Sequence, residues 1–301
     1  MVTLARVAGS CSAFTATLHS FLMQLRLASE SIDLARPVVM GILNVTPDSF
    51  SDGGSFNELE AAILHAERMA EEGAAIIDVG GESTRPGAAA VSAREEIDRV
   101  IPVIEAIAGR LSPAISIDTS KPEVMQAAVA AGASMVNDVY ALRREGALSM
   151  AASLGVGVCL MHMQGEPRTM QATPHYDDVA GEVASFLSER IAACIDAGIA
   201  RERIAVDPGF GFGKTTRHNI ALLAELERIG TLGLPLLVGL SRKNTLGQLA
   251  GRPVEGRLPA GIAAAVLAVE RGAHIVRTHD VGATLDALKV ATAVMRPGDS
   301  L

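Results

Sequence analysis

The chain has 301 residues, of which 49% are hydrophobic, and carries a formal net charge of −8. With a pI near 5.4 and a mean hydropathy of +0.31, it can bury a large core but offers no broad basic face for a nucleic-acid partner. No run of about 18 apolar residues is present to span a membrane, and the three cysteines, Cys11, Cys159 and Cys194, are odd in number and far apart. That pattern fits a reducing, cytoplasmic setting without a disulfide framework.

Residues 1–36 read as an N-terminal extension, rich in Ser and Thr, carrying Arg6 and Arg26 and no acid before Glu30. The composition imitates a targeting segment but lacks a signal-peptide core, and Met23 is an alternative beginning. From Val38 onward short apolar runs alternate with helical patterns. The runs expected as strands are Val38–Val45, Ala75–Gly80, Ala114–Asp118, Met135–Val139, Val156–Met161, Ile204–Asp207, Leu236–Leu240 and Ile275–Thr278.

Between the first two, Leu59, Ala62, Ile63, Ala66, Met69 and Ala70 recur at helical spacing, with Gly73 as the cap. Ser92 and Glu95 form a capping-box pattern ahead of Ile97, Val100, Ile101, Ile104 and Ile107. Pro122 opens another helix and Gly132 ends it. Val179–Ala197, Asn219–Ile229, Ala260–Arg271 and Gly282–Val294 complete the expected helices. Eight β-α units in one domain, without a dinucleotide-binding glycine fingerprint after the first strand, favour a (β/α)8 TIM barrel over an open doubly wound sheet. The expected division is the extension (1–36), the barrel (37–296) and a tail (297–301).

In such a barrel the site is built at the C-terminal ends of the strands. There the sequence places Asn44, Asp78, Asp118, Asn137-Asp138, His162, Asp207, Ser241-Arg242-Lys243, and Arg277 with His279 and Asp280. Any one of these could cap a strand, but polar residues at all eight ends are hard to explain that way. Asp118, Asn137, Asp207 and Lys243 combine two acids, an amide and a cation, which suits the edge of a flat heterocycle carrying both donors and acceptors. Arg85, Arg277, His279 and Asn44 suit phosphate oxygens, and the Asn44 amide oxygen suits a Mg²⁺ recruited by them. Residues 209–214, GFGFGK, lack Walker spacing and read as a backbone passing close to a flat ligand. Met161 and Met163 alternate about His162, so one is expected to face the barrel and the other the helices.

The stretches MGILNVTPDSFSDGG, DVGGESTRPGA, SIDTSKPEV, VNDV, MHMQGEPRTMQ, DPGFGFGK, LSRK and RTHDV resemble the dihydropteroate synthase family, the sulfonamide-targeted transferases of folate biosynthesis. The resemblance runs from Ile32 to Val294. It implies a homodimeric (β/α)8 barrel that joins 6-hydroxymethyl-7,8-dihydropterin diphosphate to 4-aminobenzoate, giving 7,8-dihydropteroate and pyrophosphate. Carried over position by position, it puts Asp118, Asn137, Asp207 and Lys243 around the pterin, with Met161 and Phe212 as apolar walls. Asn44 would hold Mg²⁺, and Arg85, Arg277 and His279 the phosphates. Phe50, Thr84 and Pro86 would close over the aminobenzoate, with Ser241 and Asn244 also at the substrates. Asn244 stands where many relatives carry serine, Pro259 replaces part of a Gly-Ser pair, and Thr278 replaces a common valine. A related pterin-binding methyltransferase would have no use for the residues 83–88 loop or the phosphate set, and a non-catalytic pterin-binding paralogue is the remaining alternative.

Overall fold

A computed structural model of the chain describes residues 23–46, 54–83, 90–166 and 169–298. Two short strands, β1 (Gln24–Arg26) and β2 (Ser31–Asp33), form an antiparallel hairpin. All eight expected strands follow: β3 (Val38–Asn44), β4 (Ile76–Gly80), β5 (Ala114–Asp118), β6 (Met135–Asp138), β7 (Gly157–Met161), β8 (Ile204–Asp207), β9 (Leu237–Val238) and β10 (Ile275–Thr278). They pair in parallel in the order β8-β7-β6-β5-β4-β3-β10-β9. A parallel bridge between Val206 and Leu236 joins the two ends, supported by the Val206 N–H donating to the Pro235 carbonyl at 2.9 Å. Chain order therefore runs unbroken around a ring, where a doubly wound sheet would reverse at a switch point.

The helices between the strands are α1 (Gly54–Glu71), α2 (Ala93–Ile107), α3 (Pro122–Ala131), α4 (Ala147–Leu154), α5 (Val179–Asp196), α6 (Thr216–Ala224), α7 (Glu227–Gly230), α8 (Asn244–Ala250), α9 (Leu258–Glu270) and α10 (Val281–Met295). The expected capping box is present: Ser92 Oγ accepts from the Glu95 N–H, and the Glu95 carboxylate accepts from the Ser92 N–H. Such a cap is worth about 1 kcal/mol. One expectation is corrected, since the single helix read over Asn219–Ile229 is broken between α6 and α7. There the chain turns inward to bury Leu226 completely.

Strand alternation sorts the apolar residues into two cores. Outward-facing Val39, Leu43, Ile77, Val79, Ile117, Val136, Val158, Leu160 and Val206 pack beneath the helices. Inward-facing Met40, Ile76, Met135, Cys159, Ala205, Leu237 and Ile275 fill the lower half of the barrel, and Leu25, Leu27 and Leu34 of the hairpin segment close that layer from below. All three leucines are at most 2% exposed, so each contributes roughly 1.5–3 kcal/mol by leaving water. Arg203 Nη1 and Nη2 donate to the Leu27 and Ala28 carbonyls and Arg296 Nη1 to that of Ala35, fastening the hairpin to the ring. The hairpin was not anticipated from the sequence, which set residues 1–36 apart.

Candidate active site at the mouth of the barrel

On the inward face the chemistry changes halfway up. Two residues beyond Ile76, Met135, Cys159, Ala205, Leu237 and Ile275 of the apolar layer come Asp78, Asn137, Met161, Asp207, Gly239 and Arg277. A period-two strand keeps these on the same face, roughly 7 Å nearer the C-terminal mouth.

Arg277 lies at the centre of the polar layer. Its Nε donates to Asp78 Oδ2 at 2.6 Å and its Nη2 to Asp118 Oδ2 at 2.8 Å. Asp78 Oδ2 also accepts from Asn137 Nδ2 at 3.0 Å. Asp78 is fully buried, and one arginine is thus shared between two carboxylates. Burial pushes the Asp118 carboxyl above its ordinary range, Arg277 opposes that rise, and Asp78, Glu96 and Asp138 add to it.

Asp207 and Lys243 form the other half. Asp207 Oδ1 accepts from the Gly209 N–H at 2.7 Å, and burial raises its carboxyl against the opposing pull of Lys243. Lys243 Nζ donates to the Phe210 carbonyl and lies 4.8 Å from the centre of the Phe212 ring. Burial pulls the Lys243 ammonium down to about 8, with Asp207 resisting. Gly209 has φ +69°, and a Cβ there would lie 1.8 Å from the His162 carbonyl oxygen. Only glycine lets the loop pass beneath β7 and aim its N–H at Asp207.

An apolar wall completes the pocket: Val139, Met161, Met163 and Met170 form a buried cluster with Tyr140 and Phe212 against it. The expectation that Met161 and Met163 point to opposite sides is corrected. Both join this one cluster, and residues two apart lie on the same face of a strand, so alternation about His162 gives no ground for separating them.

The remaining expected residues divide into those the fold brings to the mouth and those beyond description. Asn44 ends β3 in register with Gly80, which is itself in register with Asp118. A Cβ on Gly80 would sit 3.9 Å from Asn44 Oδ1 and 3.9 Å from Asp118 Oδ2, so the bare backbone of Gly80 leaves the space between the two oxygens open. Ser241 Oγ is 3.0 Å from His279 Nδ1 and accepts from the His279 N–H at 3.2 Å. Asn244 is the first residue of α8, immediately after Lys243. Phe50, Thr84, Arg85 and Pro86 lie outside the described residues.

His162 does not behave as a ligand-facing group. It is 6% exposed, its ring meets Phe186 edge-on at 4.9 Å, and its Nδ1 lies 2.9 Å from Lys214 Nζ. Burial and the Lys214 charge push it down to about 2, so it stays neutral. The sequence reading also passed over two groups. Asp78 stood in the survey of strand ends but not in the binding set; the signal was an acid inside an otherwise apolar strand. Lys121 ion-pairs with the buried Glu96 and, at 2.5 Å, with Glu82. Glu82 in turn accepts from the Val91 N–H at 3.1 Å, tying together the two ends of the loop after β4.

A family model described as pterin binding enzyme matches residues 40–279. Among curated proteins, the dihydropteroate synthase of Escherichia coli strain K12 is 55% identical over 273 residues, covering 91% of this chain and 97% of that protein. Among solved structures, the Xanthomonas albilineans dihydropteroate synthase with 4-aminobenzoic acid is 56% identical with a TM-score of 0.86, covering 90% of this chain and 98% of that one. The same enzyme in complex with 7,8-dihydropteroate matches at 53% identity and a TM-score of 0.83, with the same two coverages.

Proposed function

Because the chain belongs to the dihydropteroate synthase family of pterin-binding enzymes, we propose that the polar layer at the mouth of its barrel is the pocket in which that family's reaction takes place. The reaction condenses 6-hydroxymethyl-7,8-dihydropterin diphosphate with 4-aminobenzoate, giving 7,8-dihydropteroate and pyrophosphate in folate biosynthesis. The observation that carries the placement is the convergence of Asp118, Asn137, Asp207 and Lys243, drawn from four different elements, beside the apolar cluster containing Met161 and packed by Phe212. Two acceptors, an amide and a cation against an apolar wall match the edge and face of a flat, multiply hydrogen-bonding ring.

The charges suggest how the chemistry is helped. Breaking the C–O bond to the diphosphate leaves positive charge on the pterin methylene, which the Asp118 carboxylate stabilises. Arg277 already holds Asp78 and Asp118 through Nε and Nη2, so a phosphate contact falls to its Nη1, with Ser241 and His279 beside it and Arg85 from the loop after β4. Thr84, Pro86 and Phe50 would hold the second substrate, and Asn244 would donate to the aminobenzoate carboxylate.

The donor set also fits Mg²⁺. Asn44 Oδ1 is a hard, neutral oxygen at the open strip beside Asp118, and no group of three or more His, Cys, Asp or Glu positioned for a metal occurs among the described residues. A site with few protein oxygens is the form Mg²⁺ takes when phosphate supplies the rest. Bound there, it would neutralise charge on the departing diphosphate. The reading further includes a cytoplasmic homodimer acting on small molecules, with no nucleic acid or membrane as partner. No helix among the described residues is long and apolar enough to cross a membrane.

The test is pyrophosphate release from the pterin diphosphate and Mg²⁺, with and without 4-aminobenzoate, for the parent, Asp118→Asn and Lys243→Ala. Release that needs aminobenzoate and collapses in both variants supports the placement. Pterin binding without release would point to a non-catalytic paralogue.

A further inference from the structure

Lys214 is 3% exposed, and none of the partners its ammonium meets is a carboxylate. Nζ lies 2.9 Å from His162 Nδ1 and donates to the Gly209 carbonyl at 3.0 Å and the Phe212 carbonyl at 3.1 Å, with the Tyr176 ring 5.9 Å away. Burying an ammonium with no carboxylate hydrogen-bonded to it is costly, and burial drives this one well below its ordinary range against the more distant pull of Asp207. A neutral side chain filling the same space would avoid that cost, so the position calls for an explanation beyond packing.

The explanation lies in the loop it holds. Every carbonyl from residue 209 to residue 213 accepts from a side chain: Gly209 and Phe212 from Lys214, Phe210 from Lys243, Gly211 from Gln171 at 2.6 Å and Gly213 from Tyr176 at 2.9 Å. Lys214 alone takes two, and those two bracket Phe210 and Gly211. The same short loop supplies the Gly209 N–H to Asp207, the Phe210 carbonyl to Lys243 and the Phe212 ring beneath the Lys243 ammonium. Asp207 and Lys243, two of the three charged groups assigned to the pterin edge, therefore take their orientation from this loop.

We propose that Lys214 is a positioning residue for recognition of the pterin: by fixing the Gly209 and Phe212 carbonyls against the His162 ring, it sets the loop that aims Asp207 and Lys243 into the pocket. The proposal rests on the reading of the barrel mouth as the pterin pocket. It assigns Lys214 no contact with either substrate and no part in bond breaking. Removing it affects the pterin diphosphate and spares 4-aminobenzoate, whose proposed contacts lie on other loops.

The experiment compares the full-length parent with Lys214→Met, Lys214→Gln, Asp207→Asn and the Lys214→Met/Asp207→Asn double variant. Binding of the pterin diphosphate is measured by calorimetry without aminobenzoate, and KM for each substrate by pyrophosphate release. Lys214→Met is expected to weaken pterin diphosphate binding at least about tenfold while KM for aminobenzoate stays within about twofold, and Lys214→Gln, which keeps a donor, to recover part of the loss. In the double variant the two losses are expected to add only in part, because Lys214 acts partly through Asp207 and partly through Lys243. Unchanged pterin binding in folded Lys214→Met, a fully additive double variant, or a failure of both single Lys214 variants to fold would each overturn the proposal. The last outcome would assign Lys214 to the fold instead of the site. Absence of binding by the parent would overturn the pocket reading along with it.

Discussion

Replacing Arg277 with methionine tests the charge arrangement of the polar layer directly. The guanidinium is the shared partner of Asp78, whose side chain is fully buried, and Asp118, whose side chain is 14% exposed. Methionine keeps the stem and removes the charge, leaving two carboxylates facing each other without a cation. Breaking a buried pair in this way costs about 3–5 kcal/mol. At about 2.1 cal/mol/K per residue, a chain of 301 residues unfolds with an entropy near 0.6 kcal/mol/K, so the expected fall in Tm is about 5–8 °C at pH 7.5. The pH dependence carries the sharper test. Asp118 already binds its proton more tightly in the fold than in the unfolded chain, and without Arg277 it binds it more tightly still. Lowering the pH toward 5.5 therefore favours the folded variant, and the gap from the parent should narrow in calorimetric melts. Adding Asp78→Asn to the variant should restore part of the lost Tm, since one carboxylate then remains instead of two. A gap that is constant with pH, and a double variant no more stable than the single, would refute the account of Arg277 as a shared counter-ion.

Three further outcomes follow from the same structure. Lys243 is held at about 8 by burial, so it is charged below that pH and neutral above it. Pterin affinity should accordingly fall as pH rises from 7 to 9, a decline that calorimetry should find abolished in Lys243→Met. Gly209→Ala places a Cβ on the His162 carbonyl and forces a left-handed backbone on alanine, so it should lower pterin affinity at least about tenfold and destabilise the fold by several kcal/mol, read from denaturant melts. Lys121→Met leaves Glu96 buried beside Glu82 without a cation. It should cost about 3–5 kcal/mol in a urea melt and raise KM for aminobenzoate more than for the pterin diphosphate, whereas equal effects on both would detach Lys121 from the loop after β4.

The strands were legible because a parallel barrel buries both faces of each one, which leaves short β-branched runs such as Ile275–Thr278 with little else to become. The polar residues at their ends were legible for the same reason, as interruptions of those runs. What stayed hidden was short or nonlocal. Helix α4 (Ala147–Leu154) is nearly uniform in Ala, Ser and Leu and carries little amphipathic pattern, and the three-residue strands of the hairpin are too brief for a period to show. Asp78 and Arg277 are 199 positions apart, so their pairing exists only in the closed ring. Lys214 ends a glycine-rich stretch that reads as backbone passing close to a flat ligand, and nothing local announces its partners, a histidine ring and two backbone carbonyls.

The hairpin beneath the barrel has a consequence for the order of events during synthesis. Leu25, Leu27 and Leu34 leave the ribosome before any of the layer they cover, and the links from Leu27 to Arg203 and from Ala35 to Arg296 span 176 and 261 positions. Until β8, β9 and β10 have emerged, these leucines have no complete seat, because Ala205, Leu237 and Ile275 supply part of it. The first of the described segments to be made is thus among the last to dock, and loop closure over such separations is slow compared with local helix formation. A nascent chain stalled within the second half of the barrel would carry an exposed apolar hairpin, a natural target for a chaperone. Closing the lower end of the ring and finishing the mouth then become late steps of a single assembly.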